Sequence, residues 1–233
     1  MIFSKKVYFI YITTIISCIF IAYFNIDKEV ARYFLAHKTT YEPIGDAISI
    51  LGESHWYIAS GILGWAFFKY KKHNSLYANR FLFLLYSNLF SGIISLILKH
   101  IFGRIRPWGL RDGGDEFGFL LFKNFDMGFM QKMKIHMATI ADAPTTYTSF
   151  PSGHTTTVFA FFTYLSILFP KYTYLWLFGA VIMVSSRILA NDHFISDIFA
   201  GVLVGTLSTM FIYSKMKDKI GLSHNLDHES SSW

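Results

Sequence analysis

One cysteine, Cys18, is all the thiol chemistry this chain has. It lies inside an apolar run, which excludes an intramolecular disulfide and a cysteine-based metal site. Charge is scarce too: only 15% of the 233 residues are Asp, Glu, Lys or Arg, against about 25% in an ordinary soluble domain. In their place stand 53% hydrophobic and 19% aromatic residues, a balance that excludes a soluble globular domain and makes the bilayer the default solvent. No segment alternates like a barrel strand, so the spans are expected to be helices. No single basic stripe gathers the net charge of +6; the basic residues are scattered over short loops, which argues against nucleic acid as a partner. Internal repeats and low-complexity tracts are absent as well.

What the chain does have is apolar runs. They cover residues 7–24, 44–68, 81–98, 155–169, 174–185 and 195–213, and a helix needs roughly 20 such residues to cross a bilayer. Lys5 and Lys6 precede the first run, and no Ala-x-Ala pattern follows it, so a retained span is expected rather than a cleaved signal. Asp46, Glu53 and His55 interrupt the second. Either they lie at the interface or bundle interior, or Glu53 or His55 borders an active site, as ionisable groups at membrane depth commonly do. Residues 103–152 carry apolar stretches at 117–122 and 125–130, broken by Lys123, Asn124 and Asp126, and read as an interfacial helix or a lid resting on headgroups. From Lys215 onward the chain turns charged and Ser-rich and is expected to be disordered. The expected fold class is therefore all-α: a polytopic membrane protein of six helices in one bundle, a single domain over 1–233, with a long external loop.

Orientation follows from the basic residues of the short loops. Lys5, Lys6, Lys69, Lys71, Lys72, Arg80, Lys171, Lys215, Lys217 and Lys219 fall on the side of the termini, against Lys28, Arg32, Lys38 and Arg187 opposite. The termini are expected to be cytoplasmic. Three polar clusters then share the outer surface.

Those clusters are Lys99 with Arg106-Pro107, then Pro151-Ser152-Gly153-His154, then Ser186-Arg187 followed by His193 and Asp197. Lys99, Arg106 and Arg187 supply three cations, and arginine's planar fork can bond two phosphate oxygens at once. Ser152 and Gly153 stand at a helix start, where free N–H groups and the dipole favour an anion. His193 and Asp197, four residues apart, share one helix face, so the carboxylate can hold one ring nitrogen and leave the other free to attack phosphorus. His154 is the candidate acid and later base. His100 and His136 have no carboxylate close in sequence and read as structural or peripheral.

Lys99-x₆-Arg106-Pro107, Pro151-Ser152-Gly153-His154 and Ser186-Arg187-x₅-His193-x₃-Asp197 together resemble the three-part signature of the type 2 phosphatidic acid phosphatase superfamily, which also includes vanadium haloperoxidases and bacterial acid phosphatases. All three parts are present, in order, within residues 44–213. The resemblance implies that Lys99, Arg106 and Arg187 bind phosphate with help from Ser152 and Gly153, that His193 becomes phosphorylated and Asp197 orients it, and that His154 is acid then base. It implies no cofactor and no metal. The six-span organisation resembles the lipid phosphatase branch, with the lipid bilayer and a lipid phosphate as partners, and suggests a bacterial inner membrane with the site facing the periplasm. Candidate substrates are phosphatidic acid, phosphatidylglycerol phosphate, undecaprenyl diphosphate and the phosphates of lipid A. The runner-up reading is a phosphotransferase passing the phosphate to a lipid or sugar hydroxyl; a small transporter is expected to carry its ionisable residues nearer mid-bilayer, and a haloperoxidase needs no membrane spans. Because every candidate lipid shares the phosphate, the 103–152 loop is expected to select among them, with Phe117 to Phe122 resting on acyl chains and Arg111, Lys132 and Lys134 reaching further charges.

Overall fold

The computed structural model describes residues 5–112, 117–122 and 128–222. Nine α-helices fall in that described part: α1 (Lys5–Asn25), α2 (Asp27–Ala36), α3 (Lys38–Ser49), α4 (Ser54–Ala66), α5 (Ser75–Phe102), α6 (Phe129–Asp142), α7 (Gly153–Leu168), α8 (Thr173–Leu189) and α9 (Ile195–Met216). Local chemistry sets several of their ends. Asn74 caps α5 by accepting from the Tyr77 N–H at 3.1 Å, and Gly103 ends it in the left-handed region at φ 56°, a conformation that glycine enters without steric penalty.

Among the described residues, four segments are long and apolar enough to cross a membrane: α1, α5, Pro170–Leu189 containing α8, and α9. The other two expected spans form shorter helices. The apolar run at 44–68 breaks, because α3 ends at Ser49, a tight turn covers Ile50–Gly52, and Glu53 is extended before α4 begins its 13 residues. A wider helical turn, Phe67–Lys71, continues α4. The run at 155–169 is α7, 16 residues long.

The most buried of the four long helices is α9, at the centre of the bundle. Gly201 and Gly205 make this possible: a Cβ at 201 would stand 2.7 Å from the Thr155 Cβ, and one at 205 would stand 2.3 Å from the Thr156 carbonyl oxygen. One turn apart, they let α7 and α9 approach backbone to backbone, as small residues do between helices in lipid. The outer faces remain apolar, with Phe9, Phe20 and Phe24 of α1, Ile93 and Leu96 of α5, and Leu175 and Phe178 of α8 all exposed.

The bundle has two distinct ends. At one, Val7 and Tyr8 share a cavity wall with Met210, Tyr213 and Leu222. There the Arg80 Nε donates to the Ile220 carbonyl and the Asn79 side chain to that of Lys219, both at 3.2 Å. Ile220 is buried. The chain expected to be disordered from Lys215 therefore packs as far as Leu222, because Ile220 and Leu222 complete an apolar cluster with Phe83, Leu84 and Tyr164; residues 223–233 lie outside the described residues. At the other end meet the last turns of α5 and α8 and the first of α7 and α9.

The 103–152 loop crosses that second end and contains α6. Its Phe117 and Phe119 differ from expectation: Phe119 packs on Tyr23, Phe102 and Phe150 at 5.4, 5.6 and 5.2 Å, and Phe117 on Tyr23 and Phe194 at 5.2 and 5.4 Å. The cause is a buried cation, Arg104, whose guanidinium lies 4.2 to 5.4 Å from the rings of Tyr23, Phe117, Phe119 and Phe194. Phe122 stays exposed, as do Phe129 and Met130 on α6. Residues 123–127 of the second apolar stretch lie outside the described residues, as does the Arg111 side chain.

Candidate active site

Every candidate residue named from the sequence lies at this second end. Lys99, in the last turn of α5, donates to the Thr148 carbonyl, and its Cε would be 3.4 Å from a Cβ on Gly153. Glycine there keeps the first turn of α7 open against the lysine. Ser152 caps α7, accepting from the Thr155 N–H at 3.3 Å and the Thr155 hydroxyl at 3.0 Å. Its own N–H donates to the Asp197 carbonyl at 3.1 Å, which ties the start of α7 to α9.

The two arginines converge on a carboxylate that sequence reasoning did not single out. Arg106 lies 3.5 Å from Asp192, and Arg187 donates to the other oxygen of the same side chain. Burial and the neighbouring Arg187 charge lower the Arg106 guanidinium from its ordinary pKa, with Asp192 opposing them. The Nε atoms of Arg106 and Arg187 and the Nε2 of His154 are buried with no hydrogen-bond partner. Such orphaned groups are costly unless something else fills the space.

His193 follows Asp192 in the short link between α8 and α9 and is 4% exposed. Its Nδ1 stands 3.6 Å from Asp197 Oδ2 and 3.4 Å from the Ser149 hydroxyl. That is too long for a hydrogen bond to the carboxylate. Burial, foremost, holds the His193 imidazole well below its ordinary pKa, Asp197 opposes this, and the charges of Arg106 and Lys99 reinforce it. The ring is therefore neutral near pH 7, with a lone pair available for attack.

Asp197 is held on several sides. It accepts from the Ser149 hydroxyl at 2.6 Å, the Phe194 N–H at 2.9 Å and Arg104 at 2.5 Å. The same guanidinium donates to Ser196 at 2.6 Å and, through its other arm, to Asp27 at 2.7 Å, while Asp27 accepts the Ser196 N–H at 3.1 Å. Arg104, Asp27 and Asp197 are all but fully buried. Sequence reasoning missed Asp27, Arg104 and Ser149, and used the charges around Asp27 only for topology. A signal was present: Asp27 is an acidic residue directly at the end of an apolar run, and Arg104 lies two residues before Arg106.

The remaining candidates fall at the rim. The Gly52 backbone faces the His154 ring, where a Cβ would be 2.0 Å from Nε2, so the turn before Glu53 borders the site. Glu53 and His55 themselves pair with each other at 3.0 Å and are about half exposed. The His136 Nε2–H donates to the His100 carbonyl, 2.7 Å away, so it closes the end of α5 and stands apart from the cations. Among the described residues, no group of three or more His, Cys, Asp or Glu gathers to hold a metal ion.

The profile of the PAP2 superfamily matches residues 80–220, the stretch that carries all three clusters. The chain belongs to the PAP2 superfamily. Lipid A 1-phosphatases of Rhizobium johnstonii and Rhizobium etli are each 30% identical to it over 185 and 187 residues, covering 74% of this chain and 68% and 71% of theirs. The bacitracin transport permease protein BcrC of Bacillus licheniformis is 42% identical over 66 residues, 28% of this chain and 32% of that protein. No solved structure matches. As a PAP2 phosphatase, the chain is an integral membrane enzyme of a superfamily whose hydrolysis is in general metal-independent.

Proposed function

We propose that this PAP2 phosphatase hydrolyses the phosphate of a membrane lipid through a phosphohistidine on His193. The observation that carries the reading is the set of buried, unpartnered nitrogens on Arg106, Arg187 and His154 around a neutral, buried His193. An entering phosphate dianion exchanges with Asp192 on Arg106 and Arg187 and takes further hydrogen bonds from Lys99, the Ser152 hydroxyl and the Gly153 N–H. The Nε2 lone pair of His193 then attacks phosphorus. His154 takes up a proton against the bound dianion and, as the P–O bond to the lipid breaks, gives it to the leaving oxygen; in the second half it takes a proton from water, whose oxygen attacks phosphorus and frees inorganic phosphate and His193. Asp197 stabilises the imidazolium stage, and the fixed cations stabilise the charge on the transferring group.

The 1-phosphate of lipid A is the substrate that the two Rhizobium relatives favour. Six crossings fit the two-ended bundle better than four: α4 starts beside His154 and leads to the start of α5 at the opposite end, while α7 starts at the site and leads to the start of α8. At about 1.5 Å per residue, α4 with its following turn reaches roughly 27 Å and α7 roughly 24 Å, close to a hydrocarbon core of about 30 Å. The basic residues then put the termini in the cytoplasm and the site on the periplasmic face of an inner membrane.

The test is phosphate release by purified protein from a panel of phospholipids and lipid A in detergent, with acid-labile phosphoenzyme trapped by rapid quench. Turnover and trapped phosphate are both expected to vanish in His193→Ala while the protein keeps its thermal unfolding transition. Substantial hydrolysis by that variant would remove His193 as nucleophile.

A further inference from the structure

The chain carries an anion of its own at the phosphate arginines. Among the described residues, Asp192 is the one carboxylate in an ion pair with Arg106 or Arg187, and it pairs with both. One of its oxygens lies 3.5 Å from a terminal nitrogen of Arg106, and the other accepts from a terminal nitrogen of Arg187. Negative oxygens set against two guanidinium forks are also what a bound phosphate presents. As a stand-in the carboxylate is incomplete, because the Nε of each arginine stays buried without a partner.

We infer that Asp192 is a tethered competitor: it occupies the arginines of the empty site, leaves them when phosphate binds, and returns to displace inorganic phosphate after turnover. The inference rests on the phosphatase reading above and adds to it a control on how tightly the site holds any phosphate. A carboxylate that fixes a geometry is itself fixed, as Asp197 is by Ser149, the Phe194 N–H and Arg104. Asp192 has no such support: among the described residues the two arginines are the only partners of its carboxylate, and its side chain is 26% exposed against 0% for Asp197.

The link between α8 and α9 keeps the competitor at hand and lets it move. Asn191, left-handed at φ 54°, donates its N–H to the Ile188 carbonyl at 2.9 Å, and the N–H groups of Asp192 and His193 both donate to the Arg187 carbonyl, at 3.1 and 3.3 Å. The Asp192 backbone is thereby fixed beside Arg187, and rotation of the side chain alone takes the carboxylate on or off. Off the arginines it has somewhere to go. Asp192 also lines a cavity of about 240 Å³ with Leu35, Lys38, Glu42 and Trp108, room for roughly eight waters at about 30 Å³ each. Lys38 and Glu42 pair with each other there at 2.9 Å and leave no net charge to oppose the displaced carboxylate. Because only protein with Asp192 off its arginines can bind, the apparent dissociation constants of substrate, product and vanadate are all raised by the inverse of that fraction. Tethering supplies the competitor at a fixed local concentration, whatever anions the solution holds.

The test compares wild type, Asp192→Asn and, as a charge control at the rim, Glu53→Gln. It measures KM and kcat for p-nitrophenyl phosphate, Ki for inorganic phosphate, and the phosphate Kd from the concentration dependence of thermal stabilisation in detergent, which needs no turnover. In Asp192→Asn, Ki, KM and Kd are expected to fall together by about tenfold with no rise in kcat, the result of freeing a site that is open about a tenth of the time. A brace predicts the opposite sign, because arginines set loose bind phosphate more weakly. A fall of less than about threefold, or a rise, would overturn the competitor and leave the phosphatase reading standing, as would an equal fall in Glu53→Gln. Asp192→Ser, prepared in phosphate, gives the same readings should the amide variant fail to fold. A wild type that neither cleaves p-nitrophenyl phosphate nor is stabilised by phosphate would overturn both.

Discussion

His193, the proposed nucleophile, shows how burial can tune an imidazole. Its pKa is pushed well below the ordinary imidazole value by burial first, then by Arg106 and Lys99, while Asp197 pulls the other way. Folded protein therefore keeps the ring neutral where an unfolded chain, with a pKa of about 6.5, begins to bind a proton. The sign follows: this contribution to stability is fully present above about pH 6.5 and is lost as pH falls from there toward the lower folded pKa, at about 1.4 kcal/mol per pH unit. Thermal unfolding in detergent from about pH 8 to about pH 5 is expected to fall more steeply for wild type than for His193→Gln, which has no proton to gain. Parallel curves would mean that His193 titrates normally in the fold. Both histidines and all three cations were legible in the sequence because each belongs to a local motif whose spacing is fixed by a single helix end.

At the scale of elements, what the sequence hid is how those helix ends are held. Residues 103–106 run as a strap tied on both sides: Leu120 N–H donates to the Gly103 carbonyl at 3.0 Å on one side, while Ser149 N–H donates to that of Arg104 and Arg106 N–H to that of Thr146, at 3.0 and 2.8 Å, on the other. This strap delivers Arg104 inward to Asp197 and Arg106 to Asp192. Asp27, opening α2, closes the network from a point 169 residues away from Ser196 in the chain. Pairings that distant leave no periodicity to read, and the aromatic rings of Phe117 and Phe119 look lipid-facing until the buried guanidinium beneath them is known. Breaking a buried pair on one side costs about 3 to 5 kcal/mol. Asp27→Asn is therefore expected to lower thermal stability, and, by letting Arg104 and Asp197 shift, to lower kcat by up to about 100-fold with little change in KM. Asp27→Glu is expected to recover part of kcat. A variant that loses only stability, with kcat intact in the folded fraction, would make the network purely structural.

The whole molecule is a bundle with the candidate site at one end and most of the short-loop basic residues at the other, and the crossings of α4 and α7 decide whether that polarity spans the membrane. Hydropathy alone found six apolar runs, yet among the described residues four segments have the length and composition for a span. The difference arises because helix length reports hydrogen bonding, whereas the distance crossed also depends on where each helix begins. Position separates the alternatives. If α4 does not cross, Lys71 shares a side with Thr40; if it does, they lie on opposite sides. Lys171, between α7 and α8, tests α7 in the same way. With Cys18 replaced by Ser, single cysteines at the exposed positions Thr40, Lys71, Lys134 and Lys171 can be probed with a membrane-impermeant maleimide. Thr40→Cys and Lys134→Cys are expected to label in intact cells, and Lys71→Cys and Lys171→Cys only after permeabilisation. Labelling of Lys71→Cys or Lys171→Cys in intact cells together with Thr40→Cys and Lys134→Cys would reduce the crossings to fewer than six, and a fully reversed pattern would put the proposed phosphate site on the cytoplasmic face, against the outward placement expected from the basic-residue skew.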